Sequence, residues 1–535
     1  MSDPRQAIGE PMHPSGRGAN LLLASVLAVG LALRLAVAWQ EVVGVLIPKV
    51  LSDDAFYYFR IAENVARGLG PTFDGQRLTN GFHPLWAAVL AGLCAVQGAG
   101  SLPIPWALTL SALLDVGTGF LIWLTVARAV GRWGPATLAV LVYLLHPLAV
   151  LEGVNGLETA LATFAFAVLF AFYVLVLRPC PTWANYALFG LLAGLMVLAR
   201  TDYAFLVVVL GFERLWAGRG KAVGRLALAG GVFVLAVAPW LLWSQTAVGS
   251  LVQTSGLAVP FVIRKYLFEL SADALVGPWR WLGPPLYLSY HLAQGVIRYA
   301  GAQGLVVGGL LAAWVVARQR GRIAATADLP GPEQGMVLFL PLVVSVLYLG
   351  FHAFGRWFLR GWYYAPLMLA AAFLVGWMTW RVAHTGPFQS RRKPLYGAVG
   401  LTFVAVAALQ GWQVWAQGLW PWQSTVVEAS IWARGNLPAG SVLGAFNAGI
   451  PGYYAGFDVV NLDGVVNAGA FAAIRQVHLL AYIQDSGITH VLDWRSTVEG
   501  DYRPFFEERY LGHLAEVRAF PDLYHGEVVI YRVQP

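Results

Sequence analysis

The sequence predicts an α-helical polytopic membrane protein of about eleven transmembrane helices, with a small C-terminal α/β domain outside the bilayer. Three observations carry that reading. Of 535 residues, 58% are hydrophobic and 12% charged. Soluble domains average about 25% charged residues, so this chain cannot cover itself with polar surface. Apolar runs recur from residue 20 to residue 416. Beyond residue 420, short strand-like and helix-like segments alternate instead. The net charge of +7 and pI near 9.3 fit Lys and Arg gathered on the cytoplasmic side, not nucleic-acid binding. Cys94 and Cys180 stand far apart and support neither a disulfide framework nor a metal site.

The apolar runs cover residues 20–40, 102–127, 135–151, 157–177, 186–199, 203–217, 222–245, 303–317, 335–351, 364–380 and 395–416. Crossing a bilayer takes roughly 20 apolar residues, so some of these are short. Ala36-Val37-Ala38 mimics a signal-peptide cleavage site. The length of the run, its Arg34 and the membrane segments that follow favour a retained anchor. Arg5 and Arg17 in the leader share alternate connections with Arg128, Arg132, Arg178, Arg214, Arg219, Lys221 and Arg225. The series continues through Arg318, Arg320, Arg322, Arg381, Arg391, Arg392 and Lys393. The positive-inside rule makes all of these cytoplasmic, which puts the N-terminus inside and the C-terminus outside. The 16-residue stretch "HPLWAAVLAGLCAVQG" at 83–98 then lies along the outer interface instead of crossing.

This divides the chain into a cytoplasmic leader at 1–19, a transmembrane part at 20–419 and an extracytoplasmic part at 420–535. The outer connections are 41–101, "LEGVNGLET" at 151–159, "ARTD" at 199–202, a long loop at 246–300 and a short one around 352–363. In the C-terminal part "STVVEASIWARGNL" reads as a helix, while "SVLGAF", "DVVNL", "ITHVLDW" and "EVVIYRV" read as strands. Its "NAGIPG" has neither the Lys nor the spacing of a phosphate loop and reads as a turn.

Chemistry concentrates in the first outer loop. Asp53 and Asp54 open the helix-like "DDAFYYFRIAENVARG", where Ser52 or Asp53 can cap the helix and Gly68 can end it. Two carboxylates followed by Tyr57 and Tyr58 exceed what capping requires. The polar turn "TFDGQRLTNG" leads into His83-Pro84-Leu85-Trp86. Asn80, His83 and Trp86 beside a carboxylate pair resemble a sugar site of hydrogen-bonding groups and a flat aromatic; Trp86 equally suits an interfacial anchor.

The stretch "DDAFYYFRIAENVARGLGPTFDGQRLTNGFHPLW" resembles the first periplasmic loop of bacterial GT-C superfamily membrane glycosyltransferases. "NGLETAL" at 155–161 and "RGWYYAPL" at 360–367 are similar to later motifs of that group, including its arabinofuranosyltransferase-like and glycosyltransferase family 39-like members. The resemblance implies a polyprenyl-phosphate-sugar-dependent enzyme of the bacterial inner membrane. Such an enzyme moves a hexosyl or pentosyl group with inversion onto a glycan, lipid or protein acceptor. It needs no cofactor beyond its lipid-linked donor; a divalent metal stays open, although the spacing of His, Cys, Asp and Glu shows no ligand cluster.

By that resemblance one of Asp53 and Asp54 is the general base, and the sequence does not rank them. A leaving lipid phosphate calls for cations on the same side. Arg356 and Arg360, in "FHAFGRWFLRGWYYAP", supply them, with snorkelling to lipid headgroups as the alternative. Tyr363 and Tyr364 then line the mouth or serve as belt aromatics. Glu158 falls where the group places a further acidic residue. Arg200 and Asp202 join the candidate site or pair with each other, and Arg34 and Asp115 sit within spans, where ionisable groups are functional suspects. His146 and His352 read as structural. The competing class is a transporter or lipid-linked sugar flippase, but internal repeats and midplane charges are not evident.

Overall fold

Backbone groups in hydrocarbon have no water to bond, so apolar runs must satisfy them as helices, and every predicted run does. The computed structural model describes residues 17–96, 98, 102–218, 220–265, 276–319, 335–355, 359–384 and 386–535. In chain order its helices are α1 (Arg17–Ala38), α2 (Asp53–Ala66), α3 (Pro84–Val96), α4 (Ile104–Val130), α5 (Trp133–Leu144) and α6 (Pro147–Glu152). Then come α7 (Thr159–Phe172), α8 (Trp183–Ala199), α9 (Ala204–Ala217), α10 (Val223–Val248), α11 (Thr254–Ile263) and α12 (Trp279–Gln319). The helical body closes with α13 (Leu340–Phe354), α14 (Ala365–Ala383) and α15 (Arg392–Gln417). Among the described residues, 8 helices are long and apolar enough to cross a membrane.

Two differences from the sequence reading have physical causes. The run at 135–151 is two helices, because Pro147 lacks an N–H and pushes the residue before it out of helical geometry. His146 sits at that break and accepts from the Ala149 N–H, which caps α6. The loop expected at 246–300 instead holds α11 and the first half of α12. Arg280, His291, Arg298 and the Pro284-Pro285 pair lower the apolar signal of that half without breaking the helix. α3, at 13 residues, spans about 20 Å and is too short to cross.

The C-terminal part begins with α16 (Gln423–Asn436) and runs β1 (Val442–Ala445), α17 (Gly449–Tyr454), β2 (Asp458–Asn461), α18 (Ala468–Gln476), α19 (Leu479–Asp485) and β3 (His490–Trp494). β4 (Leu514–Asp522) and β5 (Gly526–Val533) complete a sheet of order β2-β1-β3-β5-β4. β1 pairs in parallel with β2 and β3, so helical crossovers join them. β5 runs antiparallel between β3 and β4. Val460, Val491, Val529 and Tyr531 pack with Ile474, Leu479 and Ile483 on one face. Leu443, Leu492, Val528 and Ile530 join the core of the helical body on the other. β4 was not anticipated, since Glu516 and Arg518 on this exposed edge strand mask its alternation.

The intramembrane charges resolve as a structural pair. Arg34 Nε donates to Asp115 Oδ2 at 2.6 Å, and Tyr143 Oη donates to Asp115 Oδ1 at 2.6 Å. The remaining guanidinium reach goes to the Gly30 and Leu144 carbonyls, both at 3.0 Å. Removing one partner strands a buried charge, at about 3–5 kcal/mol. Asp115→Leu is therefore expected to lower the thermal unfolding temperature in detergent sharply, and the Arg34→Leu/Asp115→Leu pair to recover most of it.

Candidate functional site

Both aspartates start α2, yet they face different partners. Ser52, the N-cap residue, makes no side-chain cap bond, and Asp53 turns away from its own helix. Its carboxylate accepts from the N–H groups of Ile450 at 2.6 Å and Gly449 at 3.1 Å, at the start of α17. The stretch "NAGIPG", read from sequence as a turn, instead enters α17 at Gly449, and carboxylates of this same chain bind it. Just before α17, Phe446 N and Asn447 N donate to Asp493, each at 2.8 Å, and Ala448 N donates to the Tyr57 hydroxyl at 2.9 Å. A Cβ on Gly449 would lie 2.1 Å from the Asp53 carbonyl oxygen, so only glycine permits this approach. Gly68, with φ +81°, follows the end of α2 as expected. Burial pushes the Asp53 carboxyl up to about 7, against the pull of the two backbone donors and with Asp54 adding to the rise.

Asp54 opens onto a cavity of about 1080 Å³ between the helical body and the sheet. Asp54 is exposed on that cavity, but the protein around it desolvates the carboxyl and raises its pKa; Arg360 opposes the rise and Glu158 adds to it. Of the sequence-predicted residues, Tyr57, Tyr58, His83, Glu158, Arg200, Asp202, Arg360 and Tyr363 line the same cavity. Arg356 lies outside the described residues.

Arg200 organises one wall. It pairs with Glu158 at 2.5 Å and Asp202 at 2.9 Å, and its guanidinium stands 4.9 Å from the Tyr363 ring centroid. His352 Nε2 meets Asp202 Oδ2 at 2.9 Å. Burial acts to raise the Asp202 pKa, but Arg200 and His352 outweigh it and hold the carboxyl well below the usual range. His83 lies 3.6 Å from Glu158, and burial lowers its pKa despite that carboxylate. Glu158 and Asp202 are therefore compensated by Arg200 in place, while Asp54 faces open cavity.

Four expected residues do not line the cavity. Trp86 is fully buried and donates to the Gly156 carbonyl at 3.1 Å, so it is a core residue, neither a sugar platform nor an interfacial anchor. Asn80 fastens the start of α11, accepting from Thr254 N at 3.1 Å and donating to Ser250 O at 3.1 Å. Tyr364 stacks on Tyr299 of α12, centroids 4.8 Å apart. Asp53 is held by α17 as described. Conversely, Asp463, Trp494 and Asp501 of the C-terminal part and His352 of α13 line the cavity without having been singled out for it. Asp463 had no signal in sequence, because only the turn after β2 carries it there. Among the described residues, no group of three or more His, Cys, Asp or Glu side chains is placed to hold a metal ion.

No family model matches the sequence, and no curated protein matches it. Solved structures do match in fold. The Archaeoglobus fulgidus oligosaccharyltransferase in complex with Zn and sulfate aligns with a TM-score of 0.57 at 14% identity, covering 95% of this chain and 72% of that one. ArnT from Cupriavidus metallidurans bound to undecaprenyl phosphate aligns with a TM-score of 0.56 at 14% identity, over 97% and 98% of the two chains. AglB from A. fulgidus, in complex with an inhibitory peptide and a dolichol-phosphate, gives 0.54 at 13% identity, over 96% and 74%. The chain therefore shares the fold of these three membrane proteins over nearly its whole length.

The two aspartates are separable by experiment. Asp53→Asn replaces an acceptor oxygen by an amide N–H₂ facing a backbone donor, an unsatisfied buried contact of about 1–3 kcal/mol. It is expected to lower the unfolding temperature, whereas Asp54→Asn leaves that temperature within about a degree, as substitutions away from buried networks do. The opposite pattern in thermal unfolding would reverse the assignment.

Proposed function

We propose that the chain is an inverting glycosyltransferase that moves a sugar from a polyprenyl-phosphate donor to an acceptor hydroxyl on the outer face of the membrane. The observation that carries the reading is one cavity with two unlike ends. Val208, Leu241 and Phe351, exposed on helices α9, α10 and α13, form an apolar side with the buried Val237 beneath them. Asp54 and Arg360 stand together at the polar end. An isoprenoid tail suits the first and a sugar phosphate the second. ArnT with undecaprenyl phosphate and AglB with dolichol-phosphate, similar in fold over nearly the whole chain, support a lipid phosphate.

In this reading Asp54 is the general base. The acceptor oxygen attacks the anomeric carbon as its proton passes to Asp54, and the bond from that carbon to the phosphate oxygen breaks on the opposite side. Direct displacement inverts the centre and needs one carboxylate. Arg360 neutralises the departing phosphate, for which a guanidinium fork is well shaped. Arg200, already compensated by Glu158 and Asp202, shapes the wall and holds Tyr363. A cellular place in a bacterial inner membrane, with the sheet outside, follows from the same reading.

Asp54→Asn is expected to reduce transfer from polyprenyl-phosphate sugars in membranes by about 10²–10⁴-fold, the usual contribution of a positioned base. Full activity in that variant would overturn the assignment. Arg360→Ala should raise the donor KM more than the acceptor KM. Because the raised Asp54 pKa lies above the 3.8 of an ordinary aspartate, kcat/KM should fall as pH drops through that higher value. Movement of labelled lipid across liposomes without any transfer would support a flippase instead.

A further inference from the structure

The cavity meets the sheet at one place. Phe446 and Asn447 follow β1, Asp463 follows β2, Trp494 ends β3, and Ser496, Thr497 and Asp501 follow it. These are the carboxyl ends of the three parallel strands, where open α/β sheets bind ligands. The groups presented there are of two kinds. Trp422 and Trp494 flank His525 edge to face, with centroid distances of 4.7 and 5.4 Å. Asn447, Asp463 and Asp501 add planar polar groups across the same wall.

We propose that this wall is the acceptor subsite and that the acceptor it takes is an uncharged saccharide chain. The proposal rests on the transferase reading and names its second substrate. Flat indole faces cover the C–H surfaces of sugar rings while carboxamide and carboxyl groups pair with ring hydroxyls. Burial pushes Asp463 up to about 8, so its carboxyl donates as well as accepts near neutral pH, and burial raises Asp501 in the same direction. Hydroxyl groups require that two-way capacity.

Charge separates this acceptor from the alternatives. The strand ends contribute the carboxyls of Asp463 and Asp501 and the phenol of Tyr502, with His525 beside them from the β4–β5 turn and Asp54 opposite. The carboxyls carry no positive charge in either protonation state, and when ionised they repel an anionic headgroup. A peptide would find its backbone partners along the free edges of the sheet at β2 and β4, whereas the cavity opens on the strand ends. The chemistry that fits is neutral, rich in hydroxyls and flat on one face.

The test uses the full chain purified in detergent. Neutral oligosaccharides, acidic oligosaccharides, a phosphorylated glycolipid and serine-containing peptides serve as acceptor probes in calorimetry, and a polyprenyl monophosphate serves as donor probe. Neutral oligosaccharides are expected to bind, and Trp422→Ala to weaken that binding about tenfold, the scale of one aromatic anchor. Polyprenyl monophosphate binding should be unchanged in the same variant. Asp463→Asn, which keeps the side-chain shape, should weaken the same oligosaccharides if Trp422→Ala proves poorly folded. Preference for the acidic or peptide probes, or absence of any oligosaccharide binding that these substitutions weaken, overturns the proposal. Failure of the transferase reading looks different: polyprenyl monophosphate does not bind and no sugar moves, whatever the saccharide probes do.

Discussion

The carboxylate of Asp53 on the start of α17 joins two parts of the chain almost four hundred residues apart in sequence. A helix start presents unpaired N–H groups and a partial positive charge, so an enclosed carboxylate there satisfies both partners at once. Gly449 lets the backbones approach, and Tyr57 and Asp493 occupy the N–H groups just before it. The cavity exists because this contact holds the strand ends over the helical body. Gly81 makes a second contact of the same kind, since a Cβ there would lie 1.9 Å from the Val465 carbonyl oxygen. Both loops that frame Asp54 are thus fitted to the sheet by glycine.

Compensation of buried charge explains which groups remain available for chemistry. An unpaired ion inside protein carries a penalty of several kcal/mol, so Arg200 stands between Glu158 and Asp202, and His352 closes the group. Deep in the bundle, Arg34, Asp115 and Tyr143 solve the same problem with no opening to the cavity. Position along the membrane normal does not distinguish a structural ion pair from a reactive group. The number of partners already made does.

Much of the helical body was readable because hydrocarbon leaves the backbone one solution, and apolar length signals it directly. The strands of the sheet buried on both faces were equally plain. β4 and the first half of α12 were hidden by charged residues on exposed surface, where patterning carries no burial signal. The candidate site was legible in part: "DDAFYYFR", "NGLET" and "RGWYY" all reach the cavity. Asn80 and Trp86 did not, because a polar turn before an aromatic looks alike whether it serves a ligand or fastens a loop. Asp463 was invisible, since its place depends on the docking of the sheet and on no local pattern.

Two adjacent carboxylates have a geometric use that one could not serve. Successive residues on a helix point about 100° apart, so a pair at the start of α2 addresses two directions from a single turn. Asp53 reaches up to α17 while Asp54 looks sideways into the cavity. The first fixes the helix start rigidly, and the second inherits that fixed position without having to make a structural bond of its own. Moving either residue by one place would turn the docking carboxylate into the cavity or the cavity carboxylate into the contact. The pair is therefore a division of labour set by helix pitch, and the like-charge repulsion between neighbours feeds the rise in the Asp53 pKa.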